Sequence, residues 1–441
     1  MKYKRIVSTL AAVIIAASTG CAQEARPTPQ GSPSAAAPAD PQCRPVSLGS
    51  ANAPDQKPAF AGQTRACAAA PGTGFEVVVV AKGLDRPWAV EPLPGGDLLV
   101  TEKAGRMRIV SANGTIGEPI GGLLPIGREG VSTESSQGGL PPITARGQGG
   151  LLDVALSPGF ATDRTIYWSF SEQREGGSAT SVARGVLTPD RRSLEQVRVI
   201  FRAQPTYSNG LHFGSRLAFG PDGKLYITLG DRFDKATMRP LAQSLNSHNG
   251  KVIRINPDGS APPDNPFVKE SGALPEIWDV GHRNVQSAVF DTEGRLWTVE
   301  HGAKGGDELN LVEKGKNYGW PIISYGEEYS GEAIPGNITA RAGLEQPVYY
   351  WDPVIAPSGM EYYSGDAFPA WRGNLFVGGL VSQRLVRLVM KDNRVVGEEH
   401  LLTDRGRRIR DVRQGPDGLL YIVTDEANGE LLKLVPGKAA N

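Results

Sequence analysis

Cysteine and histidine are scarce in this chain, with three cysteines (Cys21, Cys43, Cys67) and five histidines (His212, His248, His282, His301, His400) among 441 residues. No two histidines stand at zinc-ligand spacing, and neither His-Glu-x-x-His nor Cys-x-x-Cys occurs, which excludes the common zinc hydrolases. The haem-attachment motif Cys-x-x-Cys-His and the Gly-x-Ser-x-Gly nucleophile elbow are missing as well, so covalent haem and the α/β-hydrolase mechanism go with them. Net charge is also lacking. The 47 basic and 47 acidic residues cancel to +0, leaving no overall field to gather nucleic acid or an anionic membrane. Beyond the first residues no apolar run approaches bilayer-spanning length, and long amphipathic helical patterns are nearly absent.

What is present begins with Lys2, Lys4 and Arg5 followed by an apolar run from Ile6 to Ala17. This is the layout of a secretory signal peptide and is too short for a membrane span. The run ends in Ala17-Ser18-Thr19-Gly20-Cys21, which resembles the processing site of bacterial lipoproteins. Residues 1–20 are therefore expected to be removed and Cys21 lipidated, the anchor being the only membrane contact and leaving the protein on the periplasmic face of the envelope. Ala22 fits sorting to the outer membrane of a Gram-negative cell. A Pro/Ala/Ser-rich composition then predicts a flexible tether over 21–70. With Cys21 lipidated, Cys43 and Cys67 remain as an even pair, which in an exported protein invites a disulfide.

From residue 71 to 441 a unit recurs six times: a Pro/Gly/Asp turn followed by a short apolar strand. Copies include Pro94-Gly95-Gly96-Asp97-Leu98, Pro221-Asp222-Gly223-Lys224-Leu225-Tyr226, Asp291-Thr292-Glu293-Gly294-Arg295-Leu296-Trp297 and Pro416-Asp417-Gly418-Leu419-Leu420-Tyr421. Asp-Gly between strand-like runs is a tight-hairpin signal, because the turn needs positive φ where glycine has no steric cost. Six hairpin units at spacings of about 50 to 80 residues predict an all-β, six-bladed β-propeller with four-stranded antiparallel blades. Binding residues should then line the mouth of its central channel, with Gly121 to Gly147 and Gly302 to Tyr349 as candidate walls.

Several residues there could carry chemistry. His212 precedes the third repeat, and Asp231 follows the same blade's hairpin. A near-neutral imidazole backed by a carboxylate suits a general base, although a structural hydrogen-bonding histidine reads the same way. Arg408 and Arg410 alternate before the sixth repeat, so on a strand both point to one face, where they would grip a carboxylate or pair with Asp404 or Asp411. Gly302-Ala303-Lys304-Gly305-Gly306-Asp307-Glu308 offers carbonyl and carboxylate oxygens of the kind calcium prefers.

Together, Gly147-Gln148-Gly149-Gly150, His212 to Asp231, Gly281-His282-Arg283-Asn284, Glu300 to Trp320 and Arg408 to Thr424 resemble the soluble glucose dehydrogenase and aldose sugar dehydrogenase family, over about Phe75 to Pro436. Members use pyrroloquinoline quinone and calcium on a six-bladed propeller. The resemblance implies His212 as base with Asp231 as its partner, Arg283 and Asn284 at the quinone and the reacting oxygens, and Gln148 at both quinone and sugar. Arg408 and Arg410 fall on the pair that holds the cofactor's carboxylates, and Arg384 stands in for a further cofactor cation. Gln243 falls on a sugar contact. Val354 replaces a hydroxyl residue that helps to hold the cofactor. The Gly302 and Ala303 carbonyls fall on the ligands of the calcium beneath the quinone, and Glu308 with the Tyr318 carbonyl on a second, structural calcium. It further implies oxidation of an aldose at C1 to a lactone, with electrons passing to an external cytochrome or quinone. The alternatives left by the residues alone are a calcium-stabilised binding propeller and a calcium-dependent lactonase.

Overall fold

The computed structural model describes residues 43–46, 49–70, 73–123 and 143–437. The leader, Cys21 and most of the Gly121 to Gly147 segment lie outside the described residues.

Strand β1 (Phe75–Leu84) precedes the first blade, β2 (Pro87–Pro92), β3 (Leu98–Glu102) and β4 (Arg106–Val110). The second blade is β5 (Leu151–Leu156), β6 (Thr165–Arg174), β7 (Gly177–Leu187) and β8 (Leu194–Arg202), and the third is β9 (Leu217–Phe219), β10 (Leu225–Thr228) and β11 (Val252–Ile255). Blade four holds β12 (Val285–Phe290), β13 (Leu296–Glu300), β14 (Asp307–Val312) and β15 (Tyr349–Trp351), and blade five holds β16 (Pro357–Tyr362), β17 (Leu375–Gly379), β18 (Arg384–Lys391) and β19 (Arg394–Leu401). The sixth, β20 (Ile409–Gln414), β21 (Leu420–Thr424) and β22 (Gly429–Pro436), takes β1 as its outer strand, so the two ends of the domain close one blade. The inner strands β2, β5, β9, β12, β16 and β20 touch in succession, and β20 returns to β2, which closes the six-bladed propeller.

Two blades depart from the expected four strands, since among the described residues the first and third form only three. Their outer segments still hydrogen-bond, through Gly117 and Ile120 to Ile109 and Met107, and through Arg254 and Trp278 to Glu276 and Val252. Pro119 and Pro275, which lack an N–H, interrupt the ladder there and leave single bridges, Val110 to Ile116 and Ile253 to Ile277.

The strands are apolar on both faces because each blade packs between two others. Each seam between neighbouring blades has its own core: Trp88, Leu99, Leu151 and Trp168 join blades one and two, Val299, Leu309, Met360 and Val377 join four and five, and Val100, Tyr421 and Leu431 close six onto one. The repeat itself has a local cause. Asp222 accepts the N–H of Lys224 at 3.0 Å and the hydroxyl of Tyr226 at 3.1 Å, Asp417 does the same with Leu419 and Tyr421, and Asp291 binds Glu293 N–H and Trp297 Nε1. One carboxylate thus pins the turn and the aromatic residue of the next strand.

Where a tether is expected through residue 70, residues 49–70 instead lie along the outer edges of blades four and five. Cys43 and Cys67 form a disulfide. Ala68 bridges Glu398 of β19, Gln63 is fully buried and accepts the N–H of Tyr350 at its carbonyl (2.8 Å), and Asp352 accepts the N–H of Ala53 (3.2 Å). Composition conceals this because the docking rests on backbone bonds to sheet edges, not on apolar side chains. Cys67→Ser is expected to loosen the segment by roughly 3 kcal/mol, the loop-closure value for a disulfide of this span. Trypsin should then cut at Arg65 while the blades resist. Continued protection of Arg65 would mean that the hydrogen bonds suffice alone.

Candidate active site

The inner strands and their connecting loops enclose a cavity of about 410 Å³ at one mouth of the channel. Its wall includes Trp88, Lys103, Gln148, Gln286, His301, Arg408, Arg410 and Asp425. Two close backbone approaches build the floor near His212. A Cβ on Gly147 would stand 2.4 Å from the Gly210 carbonyl oxygen, and one on Gly230 would stand 2.2 Å from that of His212. Only glycine permits either crossing. The first lets Gln148 N–H donate to Gly210 O (2.7 Å), and Gln148 Oε1 then accepts the His212 N–H at 2.8 Å. The surrounding loops hold His212, Ser215, Arg232, Phe233 and Ala356 at positive φ, a concentration of unfavourable backbone that surrounding contacts must enforce.

His212 is buried, its Nδ1 2.7 Å from Asp231 Oδ1. The same Asp231 oxygen accepts Phe233 N–H (2.8 Å), and Oδ2 accepts Trp320 Nε1–H (2.8 Å), so the carboxylate is held on both oxygens. Burial would raise the Asp231 pKa, but the imidazole, Arg283 and these hydrogen bonds outweigh it and keep the carboxylate ionised. For His212, burial and the Arg283 guanidinium outweigh the pull of Asp231 and push its pKa down to about 4. The ring is therefore neutral near pH 7, with its proton on Nδ1 and a lone pair on Nε2.

Arg283 is buried over the Trp320 ring at 5.4 Å and donates Nη1–H to the His301 carbonyl at 3.1 Å. Its Nε and Nη2 have no hydrogen-bond partner among the described residues. Two unmatched donors on a buried cation cost on the order of 1–3 kcal/mol each, which marks a place prepared for an incoming oxygen. His301, to which the sequence assigns no role, donates Nε2–H to Pro357 O (2.7 Å), and burial with Arg283 depresses its pKa to about 3. Asn284 lies behind the wall, accepting Gly214 N–H (3.1 Å) and Gln286 Nε2–H (3.2 Å).

Arg408 and Arg410 reach the cavity together, and their shared partner is Asp425, at 2.8 Å from Nη2 of each, rather than Asp404 or Asp411. Asp411 is turned down the channel onto Arg216 at 3.1 Å.

Two more expected cavity residues are placed elsewhere. Arg384 opens β18, the third strand of its blade, and contacts His400 Nδ1 at 2.8 Å in a separate cavity of about 280 Å³ beside Arg65 and Val354. Two strand spacings of about 4.8 Å separate it from the channel. Gln243 forms a reciprocal amide pair with Asn317 (3.0 and 2.7 Å) and donates to Trp320 O (2.7 Å), so its carboxamide shapes the Trp320 turn.

Gly302 and Ala303 lie in a buried turn organised by Asp307, which accepts the N–H groups of Gly302 (2.9 Å), Ile355 (2.8 Å) and Ala356 (2.7 Å). Burial raises the Asp307 pKa to about 6 against those three bonds. Glu308 shares the Asn310 amide with Glu300 (3.2 and 3.1 Å), and burial plus the Glu300 charge push its pKa up to about 8. Tyr318 stacks at 4.7 Å on His282, whose Nδ1 is 2.7 Å from Glu300. Among the described residues no three of His, Cys, Asp or Glu gather at metal-binding distance.

Residues 84–433 match the Glucose / Sorbosone dehydrogenase family. The chain belongs to that family. It is 44% identical over 374 residues to the aldose sugar dehydrogenase of Escherichia coli, covering 83% of this chain and 94% of that one. A crystal structure of a glucose dehydrogenase superposes with a TM-score of 0.75 at 44% identity, over 81% of this chain and 99% of that one. The pyrroloquinoline quinone-bound aldose sugar dehydrogenase of Streptomyces coelicolor gives 0.65 at 30% identity, over 83% and 99%.

Proposed function

We propose that the protein is an aldose sugar dehydrogenase that oxidises C1 of an aldose to the lactone with pyrroloquinoline quinone and calcium, His212 being the base. One observation carries this: a neutral imidazole, fixed from behind by Asp231, feels the charge of a buried arginine with unmatched N–H groups, and Phe213 and Gly214, which follow it in the chain, line the cation-walled cavity. The residues suit the cofactor. Arg408 and Arg410 would hold its carboxylates, Arg283 would hydrogen-bond its reactive oxygen, and the Gly302 and Ala303 carbonyls would ligate the calcium.

When bound, pyrroloquinoline quinone supplies the electrophilic carbonyl that takes the hydride from C1. His212 Nε2 accepts the C1 hydroxyl proton as that hydride departs, and the imidazolium so formed is stabilised by Asp231. Arg283 would offer its unmatched Nε and Nη2 donors to an oxygen that gains negative charge beside it. Gln148 holds the His212 backbone in its positive-φ conformation and so positions the base. Reoxidation falls to an external electron acceptor. Export and lipid anchoring through Cys21 belong to the same proposal, supported by the Cys43–Cys67 disulfide, which suits an oxidising compartment.

The test is dye-linked aldose oxidation by apo-protein given calcium and pyrroloquinoline quinone singly and together. Activity only with both supports the reading, and none on a broad aldose panel with folded, calcium-loaded protein defeats it. The pH profile adds a sign. Because the base must be unprotonated, kcat/KM should rise with pH through an acid limb near the depressed His212 value of about 4 and be flat above about 6. A limb at the ordinary histidine value would mean that neither burial nor Arg283 depresses the ring.

A further inference from the structure

Lys103 follows β3 with its backbone clamped between blades, its N–H donating to Arg86 O and its carbonyl accepting Leu151 N–H, each at 3.1 Å. A Cβ on Gly150 would stand 2.8 Å from Lys103 Cγ and 2.1 Å from its carbonyl oxygen, so that glycine makes room for the lysine against the cavity wall. The half-buried ammonium donates to the Gly147 carbonyl oxygen. Every other cation on that wall already has a carboxylate: Arg86 has Asp85 at 3.3 Å, and Arg408 with Arg410 share Asp425. Among the described residues Lys103 has no carboxylate within ion-pair distance. Burial and the nearby Arg410 push its pKa down, against the weaker pull of Asp425, whose ion pairs are made with the two arginines. The arginine pair leaves one net positive charge after Asp425, a poor match for a cofactor that carries several carboxylates.

We propose that the Lys103 ammonium anchors the bound quinone by pairing with one of its carboxylates, completing with Arg408 and Arg410 the anionic half of the cofactor site. This rests on the pyrroloquinoline quinone reading above. Arg384, walled off with His400, takes no part.

The test is equilibrium binding of pyrroloquinoline quinone to calcium-loaded apo-protein, read by quenching of tryptophan fluorescence. Lys103→Met should raise Kd about tenfold or more, the scale of a lost charge-assisted contact, while Lys103→Arg recovers most of it and Arg384→Met binds as the parent does. The unaltered chain gives a second readout: bound quinone should shield Lys103 from amine acetylation, scored by peptide mass spectrometry. Equal Kd for Lys103→Met and parent, or equal acetylation with and without quinone, overturns the proposal while leaving the quinone reading intact. If the parent chain binds no quinone, both fall together.

Discussion

His212→Ala is expected to lower kcat for dye-linked aldose oxidation by roughly 10²- to 10⁴-fold, the usual worth of a positioned general base, with little change in quinone binding. The reason lies in how little else can accept the proton. His301 is the imidazole on the cavity wall, and burial with Arg283 depresses its pKa to about 3, which makes it a weaker base than His212. Asp231 is buried behind His212 with both oxygens already accepting hydrogen bonds. A variant that kept a tenth or more of the parent rate would remove His212 from the mechanism. Asp231→Asn is the companion: with an amide in place of the carboxylate the ring tautomer is no longer enforced, so kcat should fall although Nε2 remains present.

The propeller was legible because its cause is local. Asp222, Asp291 and Asp417 each tie a turn to the aromatic residue that follows, so the physical unit and the sequence unit coincide. What stayed hidden is what crosses from one segment to another. Nothing in the composition of residues 49–70 shows that Gln63 will be buried against Tyr350 and Pro347, because those bonds are made by amides to a distant sheet edge.

The same division runs through the site. His212 and Asp231 flank one short blade hairpin, so their pairing could be read from chain proximity, as could the common face of Arg408 and Arg410. Their shared Asp425 could not, since it lies past the next strand and reaches back only once β20 and β21 pair. Arg384 shows the complementary error. A residue of suitable charge in a suitable segment fell on the third strand of a blade, and only inner strands and mouth loops can supply the channel. Lys103 and His301 carried no motif, yet each follows a second strand of its blade, at the end that opens on the cavity. That position is the signal that could have found them.

Arg283→Met is expected to separate stability from activity. Removing a guanidinium that stabilises a developing oxyanion should lower kcat by about 10²- to 10³-fold, or roughly 3–4 kcal/mol. The same change deletes a buried cation whose Nε and Nη2 lack partners, and the backbone bond from Asp231 N–H to its carbonyl, at 2.7 Å, survives. The thermal midpoint should therefore hold or rise, as it does where a site keeps strain for function. His212 provides the internal check. Next to burial, Arg283 does most to hold the imidazole pKa down, so in the variant Asp231 acts less opposed and the acid limb of the residual activity should move to higher pH. A variant that loses stability as well as activity, with its acid limb unmoved, would make Arg283 a structural residue and leave the oxyanion without its stabilising cation.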